Sequence, residues 1–222
     1  ALAMSQHNTM PPLPYPDLFQ MLGRPLTPTD AVDPHAIARA EQSLDLTVPK
    51  ALRAFYLLAG NAHDFTTVYD QFLPPANWSV QDGKLVFLEE NQDVVRYGVD
   101  CGAAAGDDPC VWITTTGDAT QWHLVCEHCS EFLATMLVWQ ATFGEALPHA
   151  ASGMAGPETL RMLDTHWRHV GTVNEMRAYV QPGHAACLVE WSDGMRVFVG
   201  APGDEALWAL EDALDVTLQA DD

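Results

Sequence analysis

Basic residues are what this chain has least of. Its 222 residues hold 10 Lys and Arg against 30 Asp and Glu, a formal net charge of −20 at pH 7. Such a surface repels nucleic acid and anionic membrane and attracts basic protein. The shortage is uneven. No Lys or Arg lies between Arg96 and Arg161, a span that carries Asp100, Asp107, Asp108, Asp118, Glu127, Glu131, Glu145 and Glu158. The tail from Asp204 onward has carboxylates and no base. Many acidic proteins are simply soluble this way, so charge alone names no partner.

Cysteine and long apolar runs are also scarce. The five cysteines (101, 110, 126, 129 and 187) are an odd number and do not form the pattern of a secreted disulfide framework. The longest apolar run, Phe132 to Trp139, is broken by Thr135 and is too short to span a bilayer. No basic stretch precedes an apolar one at the N-terminus. These features lead us to expect a cytoplasmic protein that touches no membrane.

Catalytic signatures are missing too. There is no Gly-x-Ser-x-Gly. The glycine-bounded stretch Gly102–Gly106 lacks the Lys-Ser/Thr of a phosphate loop and has acids beside it. Cys126-Glu127-His128-Cys129 is a single CxxC, whereas strong zinc sites pair two. Cys126 ends an apolar strand and Cys129 precedes a helix, which suits buried thiols. His166 and His169 fall at i, i+3 on an expected helix end, where a cation is favoured without any metal. We expect no metal, no cofactor and no catalytic residues.

What is present is a succession of short elements. Prolines crowd residues 1–32 and no apolar period survives there, which predicts an extended leader. Asp33-Pro34 opens a helix over 34–44, and Pro49 opens a second that Gly60 ends. Leu52, Phe55 and Tyr56 share its inner face. Residues 83–99 read as two strands. The continuous run Leu85–Leu88 predicts a strand covered on both faces. Strands at 110–116 and 121–126 follow, then a helix over 131–143 and another over 157–167. Strands near 176–180, 186–191 and 195–200 precede a last helix at 204–214. Helices first, then runs of antiparallel strands, predict an α+β fold. We expect a mainly antiparallel sheet with an N-terminal helix pair and further packed helices.

The two central strands are joined by Glu89-Glu90-Asn91-Gln92-Asp93, a polar knot without the glycine a plain hairpin would use. Its side chains either hold the loop's own backbone or face a partner. Trp78, beside Asn77 and Ser79 in a Pro-led loop, is a contact candidate, with a tuck over the sheet edge as the plain alternative. Adjacent acids such as Glu89/Glu90 or Asp107/Asp108 point to opposite faces of a strand, so neither pair converges by itself on a metal or a substrate.

Four pieces together resemble a known family. They are Leu44-x-Leu46-x-Val48-Pro49-x-x-Leu52-x-x-Phe55-Tyr56-x-x-x-Gly60, the stretch Asp82-Gly83-x-Leu85-Val86-Phe87-x-x-Glu90-Asn91-Gln92 with Val94–Gly98, Asp107-Asp108-Pro109-x-Val111-Trp112, and the helix start Ser130-Glu131-Phe132-Leu133. Their order and spacing are similar to the SUKH superfamily, which includes Smi/Knr-type regulators and bacterial immunity proteins. Two departures concern the subfamily: Gly60-Asn61 stands where the family often has Asn-Gly, and the acidic loop is Ala-rich. The resemblance implies a single α+β domain with a curved sheet over residues 33–222, with its core at 34–144 and an extension at 157–216. It implies a non-catalytic module, a monomer or weak dimer, that binds and neutralises a basic toxin domain, such as a nuclease. Trp78, Glu89, Glu90, Asp93, Asp107 and Asp108 are then the candidate partner-binding residues. The alternative is a small carboxylate- or metal-dependent hydrolase built on the same acids.

Overall fold

The computed structural model describes residues 13–92, 94–102 and 105–220. It begins with a helix where the sequence predicts an extended leader. Pro14 and Pro16 stand at the start of α1 (Tyr15–Met21), where proline favours a helix instead of blocking it. Leu18, Phe19 and Leu22 are buried, and Phe19 meets Phe65 with ring centroids 4.6 Å apart. Arg24 then bonds two carboxylates at once, Asp30 (2.6 and 2.8 Å) and Asp64 (2.8 and 3.0 Å). Residues 13–32 are therefore part of the core. The first twelve residues lie outside the described ones.

The helix pair follows as expected, α2 (Pro34–Leu44) and α3 (Lys50–Ala59), then one turn, α4 (His63–Thr66). The first sheet contains β1 (Gln71–Phe72), β2 (Ser79–Gln81), β3 (Lys84–Glu89), β4 (Val95–Asp100), β5 (Val111–Thr115) and β6 (Asp118–Cys126). Its order is β1-β3-β4-β5-β6, with β2 also on β3, and every pairing is antiparallel. Leu85 to Leu88 are fully buried, as their unbroken apolar run predicts.

Next comes α5 (Cys129–Ala141), buried on nearly every side from Phe132 to Val138 and again at Gln140 and Ala141. A helix apolar all round must be covered all round. The second sheet provides one cover. It contains β7 (His149–Met154), β8 (Arg168–Val173), β9 (Met176–Gln181), β10 (His184–Trp191), β11 (Gly194–Ala201) and β12 (Gln219–Ala220), in the order β12-β7-β11-β10-β9-β8 and all antiparallel. A single apolar cluster runs from Leu18 through α5 to Cys187 of this sheet. The other face of the second sheet carries α6 (Pro157–His166) and α7 (Asp204–Leu214) over a second cluster that includes Leu163, Tyr179, Val199 and Leu210. The fold is α+β, with two antiparallel sheets and α5 between them.

Two glycines set how closely the second sheet approaches α5. A Cβ at Gly171 would stand 2.5 Å from Thr135 Oγ1, and one at Gly200 would stand 2.4 Å from the Ala141 carbonyl oxygen. The helix thus lies across the sheet with its start over β8 and its end over β11. Strands β7 and β8 were not legible as strands. The first is His-Ala-Ala-Ser-Gly-Met, small residues that let β12 and the chain before it approach closely. The second places His169 on a strand, so His166 and His169 do not share a helix face. No helix among the described residues is long and apolar enough to cross a membrane.

Candidate functional site

The predicted binding residues do not gather in one place. Glu89 is paired with Arg96 across β3 and β4, at 3.0 Å. Glu90 accepts a hydrogen bond from the Val94 amide at 3.3 Å, while its own amide donates to the Val95 carbonyl. The knot is thus partly held by its own side chains. Asp93 lies outside the described residues. Asp107 and Asp108 sit at the far end of β4, six residues away, or roughly 20 Å at about 3.3 Å per residue. Asp107 is exposed and pairs with Lys50 at 2.9 Å. Asp108 accepts from the Ser130 amide (2.8 Å) and the Ser130 hydroxyl (2.7 Å), which secures an orphan N–H at the start of α5. Trp78 is buried, with its indole N–H donating to the Leu73 carbonyl at 3.0 Å and its ring edge-on to Tyr56. It offers no face to a partner. Strand β4 thus stands between the two groups of acids, and Trp78 is tucked into the core.

The knot end has an acid that the sequence did not single out. Gln71 pairs with Glu89 and Phe72 with Leu88. Asp70 directly precedes β1 and Glu90 directly follows β3, which brings two acids near one another. Asp70 is also buried. Burial first, and the Glu90 carboxylate second, push its pKa up to about 7, against a lesser opposing hydrogen bond from Trp139. Burial, then the same two acids, raise Tyr97, and Tyr69 is raised by burial and then Asp70 and Glu90. Gln140, polar in an apolar helix, explains how Asp70 is held. Its side-chain oxygen accepts from the amides of Tyr69 (2.7 Å) and Asp70 (3.1 Å), and its nitrogen donates to the Asp70 carbonyl (2.6 Å).

Aromatic rings continue from this acid pair. Tyr69 stacks on Phe143 at 4.2 Å and meets Trp139 edge-on at 5.6 Å. Trp139 and Phe143 reach Phe198 of β11 at 5.1 and 6.0 Å, and Phe198 reaches Trp191 at 6.3 Å. Tyr69, Trp139 and Phe143 are half-buried, while Trp191 and Met154 are each 50% exposed. The sheet itself accounts for the exposed end. Cys187–Phe198 and Ala185–Gly200 lie under α5, but Val189–Arg196 and Trp191–Gly194 lie on the same face beyond it. Arg196 covers part of Trp191 at 5.5 Å and pairs with Asp193 at 3.2 Å. The last turn of α5 has no basic residue, so its partial negative charge adds to that of the acids. Glu90, a helix C-terminus and partly exposed rings together suit a cation.

Two concavities lie elsewhere, and several of their charged groups are paired. A groove of about 1060 Å³ lies between the α2–α3 link and the loop after β4. There Arg53 is paired with Glu41 and Lys50 with Asp107. A cleft of about 310 Å³ is lined by Cys126, His128, Glu131 and Thr172. Glu131 in it accepts from the Thr172 amide at 2.9 Å, tying α5 to β8. The Cys126 thiol donates to the His128 carbonyl, not to its ring, and burial pushes it up to about 11. Cys129 and Cys187 are fully buried and raised by burial. Among the described residues no three His, Cys, Asp or Glu are grouped to hold a metal ion. Comparison with protein-family models, curated proteins and solved structures gave no match.

Proposed function

We propose that this chain is a non-catalytic protein-binding module for a basic partner and, following its resemblance to the SUKH superfamily, that the partner is a toxin domain it holds inactive. The observation that carries this is where the bases go. Arg24, Lys50, Arg53, Lys84, Arg96, Arg161 and Arg196 are each ion-paired within the chain. Most of a small complement of positive charge is thus used internally, while acids exceed bases threefold. A field of one sign speeds association with a partner of the other. A hydrolase built on paired carboxylates fits less well, because Glu89, Asp107 and Asp108 already have internal partners. Five free cysteines suit a reducing cytoplasm.

The test is co-expression with the product of the adjacent gene. We expect a stoichiometric complex that weakens as salt rises, and relief of any growth arrest that product causes. Neither complex nor relief would overturn the proposal.

A further inference from the structure

We propose that the aromatic strip from Tyr69 to Trp191, with Asp70 and Glu90 at its closed end, is the docking surface for that partner, and that it receives an Arg or Lys side chain flanked by apolar residues. This rests on the protein-binding function proposed above and adds its location and chemistry. Three observations support it. The inner face of the second sheet runs two residue pairs past α5, leaving Trp191 and Met154 half exposed on a face that is elsewhere core. The rings are continuous from there to Tyr69, each within 6.3 Å of the next. At the closed end Glu90 lies near the buried Asp70, and no Lys or Arg among the described residues forms an ion pair with either.

Charge selects the occupant. A second copy would bring another formal −20 to the same face, which disfavours self-association. An aliphatic segment without charge would cover the rings but leave Glu90 without a cation. A guanidinium or ammonium with apolar neighbours satisfies both ends, stacking on ring faces and pairing with carboxylate. Rigid aromatic side chains beside a charge are also what binding hot spots are made of.

The probe is an eight-residue peptide of alternating Arg and Leu, with a Glu–Leu peptide as control, titrated by calorimetry and by the indole N–H resonances of the tryptophans. Variants are Trp191→Ala, which removes a half-exposed ring, and Glu90→Gln, which keeps an acceptor for the Val94 amide. Asp107→Asn, at the other end of β4, is the control. Circular dichroism confirms that each is folded. We expect the Arg–Leu peptide to shift the Trp139 and Trp191 signals, and both strip variants to weaken it by about fivefold or more, with Asp107→Asn unchanged. Equal loss in all three variants would reveal unspecific attraction and overturn the site. So would sedimentation showing that the wild-type chain self-associates through Trp191. If the adjacent gene product binds the wild type but neither strip variant weakens it, the function stands and this surface falls. If nothing basic binds at all, both fall.

Discussion

Asp70 directly precedes β1 and Glu90 directly follows β3, so the pairing of these strands brings a buried carboxyl near a second acid. The protein keeps this arrangement at a cost in stability, and the cost depends on pH. Asp70 titrates near 7 when folded, against an ordinary value of 3.8. The folded state therefore binds its proton more tightly than the unfolded state. The contribution of Asp70 to stability is greatest below about pH 4, falls as pH rises from 4 to 7, and levels off above. The shift from 3.8 to about 7 corresponds to on the order of 4 kcal/mol. We predict that Asp70→Asn flattens this window and stabilises the chain by that order at pH 8. Urea unfolding at pH 4.5, 6 and 8 checks it.

Arg24 has the opposite sign. Its hydrogen bonds hold the Asp30 carboxyl at about 2, well below the ordinary range. That stabilisation is present above about pH 4 and is lost as pH falls toward 2. Arg24→Met leaves Asp30, which is 4% exposed, without its cation. We predict a loss of about 3 kcal/mol at pH 7, shrinking as pH falls toward 2. The same variant probes whether residues 13–32 belong to the core, because an extended surface leader would tolerate it.

Asp108 anchors the start of α5 through Ser130. Asp108→Ala should cost about 1–2 kcal/mol without altering partner affinity. A lower urea midpoint with an unchanged dissociation constant would separate this acid from the binding surface.

Gly200 faces the backbone of α5, which has no freedom to move aside. Gly200→Ala should cost about 3 kcal/mol or more, since its Cβ would stand 2.4 Å from the Ala141 oxygen. Gly117→Ala, where a Cβ meets open space, should cost well under 1 kcal/mol. Thermal unfolding of the two variants gives the comparison.

Much of the fold was legible because its signals are local. Leu85–Leu88 marked a strand covered on both faces, and Leu52, Phe55 and Tyr56 marked the inner face of α3. The part of the expected extended leader that forms α1 was misread because proline at a helix start looks, in sequence, like proline in a coil. Strand β7 was hidden because close packing selected Ala and Gly where β-branched residues would have signalled a strand. The candidate site was mostly illegible. Glu90 stood out as part of the knot, but Asp70 is a lone acid in an aperiodic stretch, and only the β1–β3 register brings the two together. Trp139 reads as core from its apolar neighbours, yet it is half-buried because α5 ends there. Gln140 was the one local clue, a polar residue in an otherwise apolar helix.

The measurement that tests the account most directly is amide hydrogen exchange of the chain with and without the basic product of the adjacent gene. We predict slowed exchange at residues 69–70, around Glu90, at 139–143 and at 189–196 in the complex, and no change at 45–53 or 105–108. Slowed exchange confined to the groove between the α2–α3 link and the loop after β4, or none anywhere, would contradict it.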